Sequence, residues 1–396
     1  MDIIQNNKII NKIIRYHHQH PWIWLYMVSL LVLIAWGNLS VKIFPLVESN
    51  IGLPSEITYE NVAPGWASHG IFRSLLEPWL RWDTVWYLLV AKQGYSVSGV
   101  ELAFPPLYPF LIRIIAKLFG GQYLLASLII SWSSVFGSCF LLEARFTQMT
   151  DPKTAVRGIR NLLIFPTAFF FFAGYTESLF LFFVLLVWRF ADRGQWFLAG
   201  LVGALATMTR AIGVVLVVPI GLIWLENWRK NSITDLLSLL LLPIAYFGWS
   251  QFASSTFDQS PFNAQTIGWF SHFDWPWVGI FGNLSKVFSL NLSETLSDFL
   301  NILVVLVVFY SIIWWLKRKL YPESMFMATF ILVSLIKITD TGLLGSVSRF
   351  VIPLFPVYLV LAELGKNTRF DRVILVILIF LWLFYSALFF TWNWVA

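Results

Sequence analysis

The chain alternates between long apolar runs and short polar stretches. One apolar run covers residues 22–44. A second, 299–316, opens Phe299-Leu300-Asn301-Ile302-Leu303-Val304-Val305-Leu306-Val307-Val308-Phe309-Tyr310, and a third covers 373–390. Each approaches or exceeds the ~20 residues that a helix needs to cross the hydrocarbon core of a bilayer. Backbone polar groups at that depth must pair internally, so the runs predict helices; the two-residue alternation of a membrane barrel is absent. The first run is too long for a signal peptide and lacks a small-residue cleavage site. Composition strengthens this picture. Of 396 residues, 58% are hydrophobic and 12% charged, against about 25% charged in a soluble domain. The reading is an all-α, polytopic integral membrane protein forming one transmembrane domain over 1–396.

Charge then sets topology. In a soluble protein the net charge of +6 would raise the question of nucleic acid. Here the cations fall in short clusters between apolar runs, so they act as topological signals and no nucleic-acid partner is expected. Lys8, Lys12 and Arg15 precede the first run and place the N-terminus in the cytoplasm. Residues 45–103 follow as an external loop holding Glu48, Glu56, Glu60, Glu77, Asp83 and Glu101. The loop is also rich in aromatic residues around Trp79-Leu80-Arg81-Trp82-Asp83-Thr84-Val85-Trp86-Tyr87, which predicts an ordered segment with an interfacial helix. Further basic clusters come at 145–160, 189–193, 229–230, 317–319 and 366–372. If all are cytoplasmic, the apolar stretches 121–147 and 195–227 must each begin and end inside. Each is therefore expected to be a helical hairpin, broken at Ser131-Trp132-Ser133-Ser134 and at Thr209-Arg210-Ala211-Ile212-Gly213. The tally is about 13 crossings, within a range of about 11–13 transmembrane helices, with an external C-terminus and a second external loop at 254–297.

The external side collects the unusual residues: Asp83, Glu177, Lys337, Asp340 and Arg349, with Arg210 at the second hairpin break. An ionisable residue in an apolar segment costs ~3 kcal/mol on insertion scales and is a functional candidate by default. A carboxylate near the interface suits a general base, and arginines suit a phosphate held by charge-assisted bonds. Together they suit group transfer from a lipid-linked phosphate. Protein cations can stabilise the leaving group, so this logic requires neither metal nor cofactor.

Three motifs early in the chain, Arg81-Trp82-Asp83, Ala91-Lys92-Gln93-Gly94-Tyr95 and Leu102-Ala103-Phe104-Pro105-Pro106-Leu107-Tyr108-Pro109, are followed in order by three more. These are Phe165-Pro166 leading to Tyr175-Thr176-Glu177-Ser178, then Thr209-Arg210 with Gly213, then Ser348-Arg349-Phe350-Val351-Ile352-Pro353. The ordered set, over roughly residues 75–360, resembles the PIG-V family: GPI mannosyltransferase 2 and its bacterial relatives in the GT-C superfamily. The resemblance implies a GT-C-like helical bundle and an inverting hexosyltransferase. It implies transfer of mannose from a polyprenyl- or dolichyl-phosphate donor to a lipid, glycolipid or other acceptor hydroxyl on the non-cytoplasmic face. It puts the catalytic acid of the first external loop at Asp83. Two departures stand out: Pro105 occupies a position where a second phenylalanine is common, and the chain is short for a eukaryotic member. The second favours a bacterial inner membrane over the endoplasmic reticulum. Arg210 and Arg349 are assigned to the donor phosphate. Arg81, Trp82, Tyr175, Glu177 and His272 are assigned to substrate.

Plainer roles compete. Asp83 can pair with Arg81 or cap a helix, Glu177 can cap the helix starting near Ser178, and Arg210 can neutralise carbonyls at a helix break. Lys337 is read as snorkelling to the interface. The aromatic stretch around His272 can be an interfacial belt. His17, His18 and His20 lack partners at metal-ligand spacing. Asn38, Asn283 and Asn291 begin chance-level glycosylation patterns, and Cys139 has no intrachain partner. The rival class is a secondary transporter or lipid flippase, but no internal inverted repeat is visible and the acidic residues gather at one face.

Overall fold

The computed structural model describes residues 20–47, 54, 56–96, 99–288, 292–339 and 343–395. Lys8, Lys12, Arg15, His17, His18, Glu48, Asn291 and Asp340 lie outside the described residues. The chain is a helical bundle with fifteen longer helices, labelled here in chain order. The first eight are α1 Trp22–Ile43, α2 Asp83–Gln93, α3 Leu107–Leu118, α4 Tyr123–Met149, α5 Pro152–Leu163, α6 Glu177–Asp192, α7 Trp196–Thr209 and α8 Val217–Glu226. The rest are α9 Leu241–Phe257, α10 Pro261–Trp269, α11 Pro276–Phe288, α12 Leu292–Lys317, α13 Tyr321–Ile336, α14 Phe355–Leu364 and α15 Thr368–Phe390. The only sheet among the described residues pairs β1 Ser271–Phe273 with β2 Lys337–Thr339, antiparallel, His272 opposite Ile338. Five helical stretches, Trp22–Ile43, Tyr123–Met149, Ile233–Phe257, Ser297–Lys317 and Thr368–Phe390, are long and apolar enough to cross a bilayer. Shorter apolar helices complete the bundle, and the protein is a multi-pass membrane protein.

Ion pairs sort the helix ends into two sets. At the basic end, His20 meets Glu143 at 2.6 Å, so the start of α1 lies beside the end of α4. Arg145 pairs with Asp192 at 2.6 Å and with Glu323, which adds the end of α6 and the start of α13. Arg160 pairs with Asp371 at 2.6 Å, bringing in α5 and the start of α15. At the opposite end, Arg81 Nε donates to the Phe390 carbonyl at 2.8 Å, and Val47 N donates to the Thr391 carbonyl at 3.0 Å. The first and last spans thus end together, beside the loop that carries Asp83.

The stretch 121–147 departs from the hairpin expectation. From Tyr123 onward it lies in one uninterrupted helix, α4. Its serines need no break because their hydroxyls find acceptors: Ser133 Oγ donates to the Ile129 carbonyl at 2.7 Å and Ser138 Oγ to the Ser134 carbonyl at 2.8 Å, one turn back, and Ser131 Oγ donates to the Tyr175 carbonyl at 3.2 Å. α3, just before it, is short for a crossing. Its 12 residues reach about 18 Å at 1.5 Å per residue. Tyr108 in its first turn bonds to α4 near Ser127 and Ser131, and beyond its end Gln122 bonds to the Pro64 carbonyl of the first loop. The second hairpin is present. α7 ends at Thr209, Arg210 is extended (φ −146°, ψ 125°), a 3-10 turn covers Ala211–Leu216, and α8 returns. Trp196, at the start of α7, donates its ring N–H to Asn231 just past α8 at 3.2 Å, so both ends of the hairpin meet. Gly213 permits the turn, since a Cβ there would lie 2.7 Å from the Thr207 backbone nitrogen.

Candidate active site

The site is assembled from two helix starts, one short helix and one helix break. Asp83 is the first residue of α2 and Glu177 the first of α6, positions where the helix dipole favours a carboxylate. Arg349 lies in the short helix Val347–Phe350, and Arg210 at the break after α7. Trp82, immediately before Asp83, has φ 49° and ψ −123°, a backbone conformation that costs a bulky residue about 1–3 kcal/mol. The surroundings enforce it. Trp82 packs against Trp392 and Trp394 at ring distances of 5.6 and 5.1 Å. Arg81 is locked by three main-chain carbonyls, Phe390, Glu77 and Leu80, at 2.8–2.9 Å. The segment after α15 therefore grips the residues on which Asp83 is mounted.

The four charged side chains form one continuous array. Arg349 Nη1 donates to Asp83 Oδ2 at 2.6 Å, and Arg349 Nε donates to Glu177 Oε1. Arg210 Nη1 donates to the same Glu177 oxygen and to Thr176 Oγ1 at 3.1 Å. Relative exposures are 7% for Asp83, 0% for Glu177, 6% for Arg349 and 9% for Arg210. Burying an ion costs several kcal/mol even after relaxation, so an array of four is sustained only by mutual pairing. The bonds leave specific atoms open. Asp83 Oδ1 and Nη2 of Arg349 have no protein partner among the described residues, and neither do Nε and Nη2 of Arg210. Glu177 Oε2 is buried without a donor.

Aromatic residues wall the array. The Arg349 guanidinium lies 4.6 Å from the Tyr175 ring centre and 5.3 Å from that of Phe170, and Arg210 lies 5.2 Å from that of Phe350. The Asp83 backbone N–H donates to Tyr175 Oη at 3.1 Å, and Tyr87 Oη lies 3.2 Å from Thr176 Oγ1. Gly174 makes this packing possible, because a Cβ there would lie 2.5 Å from Ser127 Oγ and 2.9 Å from a Thr84 methyl.

Of the residues singled out in the sequence, Asp83, Glu177, Tyr175, Arg210 and Arg349 come together. Arg81 and Trp82 do not reach the array; they face the C-terminal segment and hold the loop. Arg81 does not pair with Asp83. His272 sits on β1, partly buried, one strand away from Lys337. Glu101 braces its own loop by accepting from the Ser96 backbone N–H at 2.7 Å.

The snorkelling reading of Lys337 is corrected. Its ammonium is turned inward on β2, donating to Gln265 Oε1 at 2.6 Å and lying 5.8 Å from the Phe350 ring centre. Burial, then repulsion from Arg349 and Arg210, pushes its pKa down to about 8 against the pull of Asp83. Tyr87 and Thr176 were also missed. Tyr87 was detectable as one helical turn beyond Asp83. Lys337 stood among the unusual external residues, but its place at the end of an apolar run fitted a snorkelling lysine equally well.

A profile of the mannosyltransferase (PIG-V) family matches residues 15–239. GPI mannosyltransferase 2 of Schizosaccharomyces pombe is 28% identical over 152 residues, covering 37% of this chain and 32% of that protein. GPI alpha-1,6-mannosyltransferase 2 of Mus musculus is 28% identical over 169 residues, 39% of this chain and 33% of the relative. The matched stretch thus spans about a third of each of these curated relatives. Among solved structures, ArnT from Cupriavidus metallidurans bound to undecaprenyl phosphate superposes with a TM-score of 0.50 at 13% identity, over 90% of this chain and 62% of ArnT. That likeness concerns the fold, and it agrees with the GT-C-like bundle that the sequence motifs implied.

Proposed function

Because the chain belongs to the mannosyltransferase (PIG-V) family, we propose that it transfers a mannosyl unit from a polyprenyl-phosphate donor to an acceptor hydroxyl at the non-cytoplasmic membrane face. The observation that carries this reading is the buried Asp83–Arg349–Glu177–Arg210 array with one Asp83 oxygen left open. Asp83 Oδ1 takes the proton of the acceptor hydroxyl as its oxygen attacks the anomeric carbon. The carbon–oxygen bond to the donor phosphate breaks, the configuration inverts, and polyprenyl phosphate leaves. The donor is a phosphodiester with one negative charge, and the departing carrier gains a second. Asp83 and Glu177 set against Arg210, Arg349 and a protonated Lys337 leave one positive charge, and the unused guanidinium N–H groups point the way for it to act. Such fixed cations stabilise charge that develops only in the transition state. Glu177 orients both arginines, and its open Oε2 accepts from a substrate hydroxyl. Tyr175 holds the turn carrying Asp83. The undecaprenyl phosphate bound by ArnT is the class of carrier proposed here. The first-loop segment 45–103 is the catalytic loop on this reading. The positive-inside pattern supports the non-cytoplasmic face, because the cation clusters lie at the opposite end of the bundle.

The test is reconstitution in liposomes with radiolabelled polyprenyl-phosphate mannose and a lipid extract as acceptor. Transfer of label to the extract is expected. Folded full-length preparations that transfer glucose or another hexose but no mannose would overturn the sugar; folded preparations that transfer from no donor would overturn the reaction.

Lys337 adds a pH dependence. Below about pH 8 it is charged and attracts the donor phosphate; above that it is neutral and the attraction is lost. A charge-assisted bond is worth about 1.5–3 kcal/mol, so donor KM is expected to rise about tenfold or more across this titration. Lys337→Arg should flatten the rise, since guanidinium stays protonated. An unchanged KM profile in the arginine variant would exclude Lys337 as the titrating group.

A further inference from the structure

At the basic end, far along the bundle from Asp83, a cavity of about 340 Å³ opens where α5 passes between the first turns of α1 and α15. Pro21, Leu25 and Val156 line its apolar side; Lys153, Arg157, Arg160 and Asp371 line its polar side. The three cations face one carboxylate. Asp371 is fully engaged, accepting from Arg160 Nη1 at 3.1 Å, from Arg160 Nη2 at 2.6 Å, and lying 3.3 Å from Arg157 Nε. The remaining Arg160 donor goes to Asn161, and Arg157 Nη1 donates to the Ala362 carbonyl at 3.2 Å. Arg157 Nη2 and Lys153 Nζ have no protein partner among the described residues. Two positive charges are thus left over beside the cavity. Arg157 is held in place by its other bonds and presents its last N–H groups at no further ordering cost.

The cavity also sits at the right depth for a lipid. It lies at the first turns of two helices long and apolar enough to span, and the outer surface beside it is apolar: Trp24 is 62% exposed, Phe370 61% and Val373 56%. A tryptophan at this level marks the headgroup zone. Basic pockets between spans on the cytoplasmic side are suited to anionic headgroups.

We propose that this notch is a phosphate-binding site for the headgroup of an anionic phospholipid in the leaflet at the basic end, held by Arg157 Nη2 and Lys153 Nζ, with its acyl chains lying against α1 and α15. The site is separate from the transfer site and does not depend on the reaction assigned there.

The full-length protein, purified in mild detergent, is titrated with phosphatidylglycerol, with phosphatidylcholine and with inorganic phosphate, and adducts are counted by native mass spectrometry. Phosphatidylglycerol is expected to bind in preference to phosphatidylcholine. Lys153→Gln, a change at an exposed side chain without a partner, should weaken phosphatidylglycerol binding about fivefold. Arg157→Gln should weaken it at least as much. Arg229→Gln/Lys230→Gln, which removes two cations at the same end but outside the notch, should leave it unchanged. Equal loss in that control, or no loss in Lys153→Gln, overturns the site. Displacement of phosphatidylglycerol by equimolar inorganic phosphate overturns the lipid as its source and leaves a free-anion site.

Discussion

Asp83→Asn is expected to lower the rate of sugar transfer by about 10²–10⁴-fold, the range that a positioned general base contributes. The replacement is nearly isosteric. Its amide oxygen still accepts from Arg349, and the α2 start, the Trp82 packing and the Arg81 bonds are untouched. What disappears is the ability to take a proton at Oδ1. Initial rates at saturating donor, with donor binding and thermal unfolding measured on the same preparations, separate the two roles that Asp83 can have. A base predicts a collapsed rate with donor affinity within a few fold of the wild type. A purely structural partner of Arg349 predicts lost stability with rate per folded molecule preserved. A variant turning over within tenfold of wild type sinks the assignment.

The second large effect is expected at Arg349. Among the described residues it is the one bonded to both carboxylates, and it is 6% exposed. Arg349→Met leaves Asp83 without its cation and Glu177 with only Arg210. Removing one partner of a buried pair typically costs about 3–5 kcal/mol, because a charge is left uncompensated. Transfer should be lost and the unfolding midpoint should fall together. Arg349→Lys distinguishes charge from geometry. One ammonium restores the charge but cannot bridge Asp83 and Glu177 with the planar fork, so stability should recover in part while transfer stays low. Lysine restoring wild-type transfer would mean that positive charge alone suffices there.

Much of the architecture was legible in the residues. Apolar runs of spanning length and the low charged fraction are local properties, readable without knowing any contact. The break at Arg210 was legible as well, because a cation followed by glycine inside an apolar stretch is costly unless the helix ends there. The serines at 131–134 misled. Polar residues in an apolar run look like a break, yet a helix can absorb hydroxyls by bonding them to carbonyls one turn back, as Ser133 does to Ile129. Arg81 misled in the opposite sense. Two residues before Asp83 in sequence, it bonds to the Phe390 carbonyl, 309 residues away.

By itself, then, the sequence determined that this is a helical membrane protein, that an acid lies in the long segment after its first apolar run, and that Glu177, Arg210 and Arg349 stand at costly positions in or beside apolar segments. Those are facts about single residues and their neighbours in the chain, set by the price of placing charge near hydrocarbon. Only the tertiary structure decided how those charges are shared. The pairing of Arg349 with Asp83 spans 266 residues and its pairing with Glu177 spans 172. Which carboxylate oxygen stays open, and that Lys337 turns inward to join them, depend on which helix ends meet. That choice follows from packing and mutual charge compensation across the whole bundle, and no local pattern encodes it.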